Sequence, residues 1–132
     1  MKKYLAQAAF KSSDSKIKYS MYIGRWQPWH QGHRWLIDQR LDDGKNVLIC
    51  IRDIEPDEKN PWTSKEVEAN LQIELKDLIK QGKVKIVIIP DIESINIGRG
   101  VGYDIIEHVP PEEIRDVSAT NIRKQMKKDG KL

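Results

Sequence analysis

The segment from Ile17 to His33 reads IKYSMYIGRWQPWHQGH, and its sequence period changes partway along. Its first part alternates apolar and polar side chains up to Gly24, which is the period of a β-strand. From His33 to Leu41 the apolar residues recur at helical spacing instead, and Gly44 then stops the pattern. The segment therefore predicts a strand, a turn and a helix in direct succession.

Strands and helices continue to alternate after this point. Val47 to Ile51 is continuously apolar, as expected of a central parallel strand, and Val84 to Ile89 is a second β-branched run. Between them, Thr63 and Glu66 have the spacing of a capping box at the start of a helix that Gly82 ends. This order predicts an α/β fold, a single Rossmann-like domain with a central parallel sheet flanked by helices.

The last third of the chain has weaker periodicity. Asp91 to Gly102 is polar and glycine-rich, and it predicts a long loop near the carboxyl edge of the sheet. The further predicted elements are a short helix over Tyr103 to Glu107, a short strand over Ile114 to Val117, and a terminal helix over Asn121 to Lys128 with Ser118 or Thr120 near its cap.

The length of 132 residues fits one domain, since domains commonly run to about 100 to 150 residues. We expect residues 17–132 to form it. We expect residues 1–16 to be a leader, flexible or loosely docked, with a short packed helix as the alternative. Cys50 is the only cysteine, which is typical of a protein in a reducing, cytoplasmic compartment. Because it lies in an apolar run, we expect its side chain to pack in the core.

Charge and hydropathy exclude two classes of partner. The net charge of +3 comes from 23 basic and 20 acidic residues spread along the chain, without the dense basic block of a nucleic-acid binder. No apolar stretch approaches the ~20 residues that span a bilayer. We therefore expect neither a nucleic-acid nor a membrane partner.

Two segments carry the chemistry, GRWQPWHQGH at Gly24 to His33 and VSATNIR at Val117 to Arg123. Each lies at a predicted helix N-terminus, where free backbone N–H groups and a partial positive charge bind phosphate. Gly24 and Gly32 would let the backbone approach an anion closely. His30 and His33 add side-chain donors. Together the segments predict a grip on one polyphosphate.

His30, Gly32 and His33 match the HxGH motif of the nucleotidylyltransferase superfamily, and VSATNIR resembles its ISxTxxR motif. The longer segment is most similar to the GRFQPxHxGH form of archaeal-type nicotinamide mononucleotide adenylyltransferases. Asn60 to Thr63 (NPWT) resembles the NPFT segment of those enzymes. The resemblance covers Met21 to Met126.

This resemblance implies transfer of AMP from ATP to a phosphate-bearing small molecule, nicotinamide mononucleotide, with release of pyrophosphate. In that reaction His33 would donate to the α-phosphate and His30 would hold the β- or γ-phosphate. It implies Mg²⁺ held mainly by substrate oxygens and water, with no metal ligands from the protein. The other implied contacts are Gly24, Arg25, Gly32, Ser118, Thr120 and Arg123 for the ATP phosphates, and Asn60, Trp62 and Arg99 for the acceptor.

Each assignment has an alternative. The histidine pair could be a surface turn, or a zinc site completed by His108, although no cysteine lies nearby. Arg123 could lie on a solvated face that offsets the helix dipole. Asp53 and Asp91 follow strand ends, where ligands bind, and an ordinary turn role is favoured for both.

Other functions also remain open from the sequence: a cytidylyltransferase acting on another phosphate ester, and a non-catalytic nucleotide sensor. The glycine-rich stretch from Gly98 to Gly102 lacks the spacing of a dinucleotide fingerprint. The chain departs from the resembled pattern by ending nine residues after Arg123. Acceptor identity and homo-oligomer formation are therefore left open.

Overall fold

Three parallel strands form one sheet in the order β1-β2-β3 in the computed structural model, which describes residues 16–100 and 102–132. The predicted leader lies outside the described residues, except for Lys16. The elements in chain order are β1 Tyr19–Gly24, α1 Gln31–Leu41, β2 Asn46–Asp53, α2 Ser64–Glu74, α3 Lys76–Lys80, β3 Val84–Pro90, α4 Glu112–Arg115 and α5 Ala119–Lys128.

The alternation of parallel strands with helices confirms the predicted α/β, Rossmann-like architecture. Helices α1, α2 and α3 pack their apolar sides against the sheet. Ile37 of α1, Leu71 of α2 and Leu75, between α2 and α3, are almost fully buried. On β1, the Tyr22 hydroxyl donates to the Leu36 carbonyl of α1 at 2.7 Å. The core therefore lies between the sheet and these helices.

The middle helix begins where its sequence predicts and is broken once. Thr63 is the N-cap, its hydroxyl accepts from the Glu66 N–H, and the Glu66 carboxylate accepts from the Thr63 N–H. The predicted single helix is divided at Leu75, whose φ of −113° and ψ of 20° depart from helical values. Gly82, with φ of +74°, ends the pair in a conformation that glycine adopts without strain.

Two predicted elements in the last third are wrong. Tyr103 to Glu107 is not helical, and its apolar side chains are exposed, so a helix there would have no apolar face to bury. The predicted strand over Ile114 to Val117 is replaced by α4. Two glutamates occupy its first turn, where their negative charges interact favourably with the helix dipole.

Other predictions for single positions are confirmed. Ser118 caps the terminal helix, which begins two residues earlier than predicted, at Ala119. Cys50 is buried, and burial raises the pKa of its thiol to about 11, so it packs as an apolar residue. Within the described residues, no helix combines the length and apolar character needed to cross a bilayer.

The core assignment predicts a contrast between two residues of α2. Leu71 is fully buried, whereas Ile73 is 74% exposed on the same helix. We expect Leu71→Ala to lower the free energy of unfolding by about 3 kcal/mol, because it leaves a cavity. Ile73→Ala should change it by less than about 0.5 kcal/mol. Urea unfolding of both variants measures this, and similar losses in the two would contradict the packing described.

Candidate active site

The turn that follows β1 is anchored by Trp26. This residue has φ of 56°, in the left-handed region where a bulky side chain costs about 1–3 kcal/mol. Its indole is buried, and the indole N–H donates to the Cys50 carbonyl of β2 at 3.1 Å. A Cβ on Gly24 would lie 2.9 Å from the Trp26 ring, so the missing side chain of Gly24 makes room for the indole. The proposed contact of Gly24 with phosphate stays a prediction.

The two histidines cap α1. His30 is the N-cap, and its Nδ1 accepts from the backbone N–H of Gly32 at 3.0 Å and of His33 at 3.3 Å. In return, Nδ1 of His33 accepts from the backbone N–H of His30 at 3.3 Å. This reciprocal pattern is a capping box in which imidazoles replace the usual hydroxyl and carboxyl groups. The spacing of three residues is thus the spacing that a capping box requires.

The cap fixes which nitrogen carries the proton. An Nδ1 that accepts a hydrogen bond carries no proton, so a neutral imidazole of this kind must be protonated at Nε2. Neither Nε2 has a partner within the described residues. None of the described side-chain nitrogens or oxygens is fully buried without a partner, so each Nε2–H keeps some contact with solvent. They are donors available to a ligand.

Burial keeps both rings neutral. Burial lowers the pKa of His30. Burial, together with the repulsion that a protonated His30 would exert, lowers the pKa of His33 to about 3. The two rings are stacked, with centroids 3.7 Å apart. Trp26 meets the His33 ring edge-on at a centroid distance of 4.9 Å, and Trp29 lies 5.3 Å from it. The result is a pair of neighbouring neutral imidazole donors, one of which packs against two tryptophan rings.

Gly32 is required by the cap itself. A Cβ at this position would lie 2.8 Å from Cε1 and 2.9 Å from Nδ1 of the His30 ring, and 3.6 Å from the Val117 carbonyl. The ring cannot move away without losing its own cap hydrogen bonds. Gly32 therefore permits the capping geometry, and it lies where the segment before α5 approaches α1.

The structure brings the two predicted segments together. Nη1 of Arg123, on α5, donates to the backbone carbonyl of Gln27 in the turn before α1. The Ser118 hydroxyl caps α5 by accepting from the Asn121 N–H at 3.1 Å, and Thr120 is exposed at the first turn. Arg123 is therefore half-buried and bound to the turn, and its proposed phosphate contact stays a prediction.

The predicted acceptor residues differ in their surroundings. Asn60 is buried, and its side-chain amide donates to Asp57 at 3.1 Å. Hydrogen bonds from the Asn60 backbone and other N–H groups lower the pKa of Asp57, and the charge of exposed Arg25 also contributes. Trp62 is half-buried against the core, whereas Arg99 is exposed in its loop. No described contact places Arg99 beside the histidines.

Gln27 is a buried residue that the predicted site did not include. Its side-chain amide makes two hydrogen bonds to the backbone of Trp62, and the whole residue is buried. The sequence signal that could have found it is its match to the glutamine of the GRFQPxHxGH form. The structure thus adds a link between the turn and the loop before α2.

The carboxylates at the strand ends have structural partners. Asp53 accepts from the Ser64 hydroxyl at 2.7 Å, and Asp91 accepts from the Arg52 guanidinium at 2.8 Å. His108 stacks on the Tyr22 ring at 6.2 Å rather than joining the histidine pair. Among the described residues, no three histidine, cysteine, aspartate or glutamate side chains are grouped to hold a metal ion.

The histidine cap predicts a specific pH dependence of stability. The pKa of His33 is about 3 in the folded chain and about 6.5 in an unfolded one, so between these values only the unfolded chain binds the proton. Stability should therefore fall as the pH drops below about 6.5. His33→Asn keeps an acceptor bonded to Cγ, as the cap needs, and removes this titration.

Urea unfolding at about pH 7.5 and about pH 5 tests this linkage. The natural chain should lose more of its free energy of unfolding over that interval than His33→Asn does. Equal losses in the two proteins would show that His33 does not stay neutral in the folded state.

No family model matches this chain. A stretch of 52 residues is 35% identical to the nicotinamide-nucleotide adenylyltransferase of Methanocorpusculum labreanum, and it covers 38% of this chain and 31% of that protein. The match thus spans less than a third of the length of this curated relative. Such a partial similarity supports, at a coarse level, a relationship to nucleotidyltransferase enzymes.

Proposed function

We propose that the chain is a nucleotidyltransferase that transfers AMP from ATP to nicotinamide mononucleotide, giving NAD and pyrophosphate. The observation that carries this proposal is the pair of stacked, neutral imidazoles at the N-terminus of α1, whose Nε2–H groups keep some contact with solvent. The partial similarity to an enzyme named for this activity supports the choice of reaction.

The reaction needs alignment and charge stabilisation rather than a protein nucleophile. An oxygen of the acceptor phosphate attacks the α-phosphorus, the bond from that phosphorus to the bridging oxygen breaks, and pyrophosphate leaves with the electron pair. Nε2–H of His33 would donate to the α-phosphate, and Nε2–H of His30 to the β- or γ-phosphate. Fixed donors of this kind stabilise the transition state without reorganising.

The second segment would hold the rest of the triphosphate. Arg123 reaches the turn before α1, and Val117, which precedes the Ser118 cap of α5, lies close to Gly32 of α1. A helix N-terminus and a guanidinium are both suited to phosphate oxygens. The proposed phosphate contacts are Gly24, Arg25, Gly32, Ser118, Thr120 and Arg123.

Mg²⁺ fits this site as a cation that arrives with the triphosphate. It prefers oxygen ligands and keeps several waters, so phosphate oxygens and water can supply its ligands without side chains of the protein. Bound there, Mg²⁺ would neutralise charge on the phosphates. The chain's own contribution remains the imidazole, guanidinium and backbone donors described above.

The acceptor would lie on the side of the turn that faces the loop before α2. Trp62 in that loop offers an aromatic ring, and the proposed acceptor contacts are Asn60, Trp62 and Arg99. Because Asn60 is buried and bonded to Asp57, its contribution would be to shape the loop as well as to meet the acceptor.

A substrate panel tests the reaction. The full chain with Mg²⁺ is incubated with ATP or CTP against nicotinamide mononucleotide and other phosphate esters, and pyrophosphate is measured. We expect the fastest release from ATP with nicotinamide mononucleotide. A preference for CTP with another ester would replace the proposal by a cytidylyltransferase. Binding of ATP with no turnover of any pair would contradict it in favour of a nucleotide sensor.

Variants of the histidines test their roles as donors. Asparagine keeps the Cγ-bonded acceptor that caps α1 and has no counterpart of Nε2, so His30→Asn and His33→Asn isolate the proposed catalytic atom. We expect kcat to fall about 100-fold in each, the usual cost of removing one transition-state donor. His108→Asn, outside the pair, should leave kcat unchanged.

Circular dichroism and thermal unfolding of the three variants control for folding. Natural kcat in His33→Asn, or an equal loss in His108→Asn, would remove the histidine pair from the mechanism.

A further inference from the structure

We propose that Gln27 is a positioning residue. It holds the loop that carries Trp62, and the side chain of Arg123, in place relative to the histidine pair. This inference rests on the proposed function and adds to it a residue that touches neither substrate. It follows from the three hydrogen bonds of one buried glutamine, which join segments far apart in the sequence.

The side chain of Gln27 grips Trp62 at two points. Its Nε2 donates to the Trp62 carbonyl at 2.9 Å, and its Oε1 accepts from the Trp62 N–H at 3.0 Å. Only 3% of the residue is exposed, so both bonds are shielded from water. Because a primary amide presents a donor and an acceptor side by side, it matches one residue's N–H and C=O together. The loop that carries Trp62 is therefore held in position and orientation.

The backbone of the same residue holds the other segment. The Gln27 carbonyl accepts from Nη1 of Arg123, which leaves the remaining N–H groups of that guanidinium for a ligand. Gln27 also lies three residues before the N-cap His30. A displacement of Gln27 would therefore shift Trp62, Arg123 and the histidine cap with respect to one another.

The pairing requires an amide rather than a carboxylate. A glutamate at this position would accept from the Trp62 N–H, but its second oxygen would face the Trp62 carbonyl oxygen with no hydrogen between them. Protonation of that glutamate would restore an O–H donor and with it both hydrogen bonds. Burial raises the pKa of a carboxyl group, so protonation should occur at accessible pH.

The experiment compares Gln27→Glu with the natural chain in kcat and in both KM values between about pH 8 and about pH 5. Near pH 8 we expect kcat to fall at least about tenfold, since small misplacements of reacting groups are costly. The deficit relative to the natural chain should shrink as the pH falls. Gln39→Glu is the matched control, because its amide also donates to a backbone carbonyl, that of Trp35, at 2.9 Å.

Gln27→Asn is the second variant. It keeps the amide but is one methylene too short to reach Trp62, so its deficit in kcat should be the same at every pH. Natural kcat in Gln27→Glu at about pH 8 would overturn the inference. A deficit that does not shrink on acidification, or one that Gln39→Glu shares, would overturn it as well.

Amide hydrogen exchange at Trp62 separates this inference from the proposed function. The protection of the Trp62 N–H should fall in Gln27→Asn, which is too short to accept from it, with no change in Gln39→Glu. If the natural chain transfers no nucleotide to any acceptor, the proposed function fails, while this pattern of protection still shows that Gln27 holds the loop of Trp62. Unchanged protection in Gln27→Asn would refute the positioning role even in an active enzyme.

Discussion

The capping of α1 by two imidazoles is the constraint on which the rest of the site depends. Each Nδ1 accepts a backbone N–H at the helix start, so each ring is fixed in place and in tautomer by the helix that it caps. Stability and proposed catalysis thus use opposite edges of the same rings. The Nδ1 edge is committed to the fold, and the Nε2 edge is left for a ligand. Gly32 follows from this arrangement, since any side chain there would meet the His30 ring.

The residues around the cap keep both imidazoles neutral and hold the cap in position relative to the rest of the chain. Trp26 accepts a left-handed backbone conformation, and its burial and its bond to Cys50 offset the cost. The same indole packs edge-on against His33. On the other side, Gln27 ties the turn to Trp62 and to Arg123. The turn between β1 and α1 is therefore a junction of three segments, and the elements around it supply the support that a fixed constellation of donors requires.

Much of this could be predicted from the sequence, where local chemistry dominates. The Thr63 capping box, the central strands and the Ser118 cap each follow from residues a few positions apart, and the structure confirms them. Tyr103 to Glu107 was mispredicted because apolar spacing alone does not supply a surface to pack against. The role of Gln27 was missed for a related reason. Its partner Trp62 lies 35 residues away, and no local pattern reports a long-range hydrogen bond.

The central claim is that both Nε2–H groups are neutral donors aimed at a triphosphate, and nitrogen NMR of the histidine side chains tests it most directly. Spectra of ¹⁵N-histidine-labelled protein at neutral pH would be compared with and without a non-hydrolysable ATP analogue and Mg²⁺. The account predicts that His30 and His33 are protonated at Nε2 only, and that both Nε2 resonances shift when the analogue binds. Protonation at Nδ1, or analogue binding that leaves both Nε2 resonances in place, would contradict it.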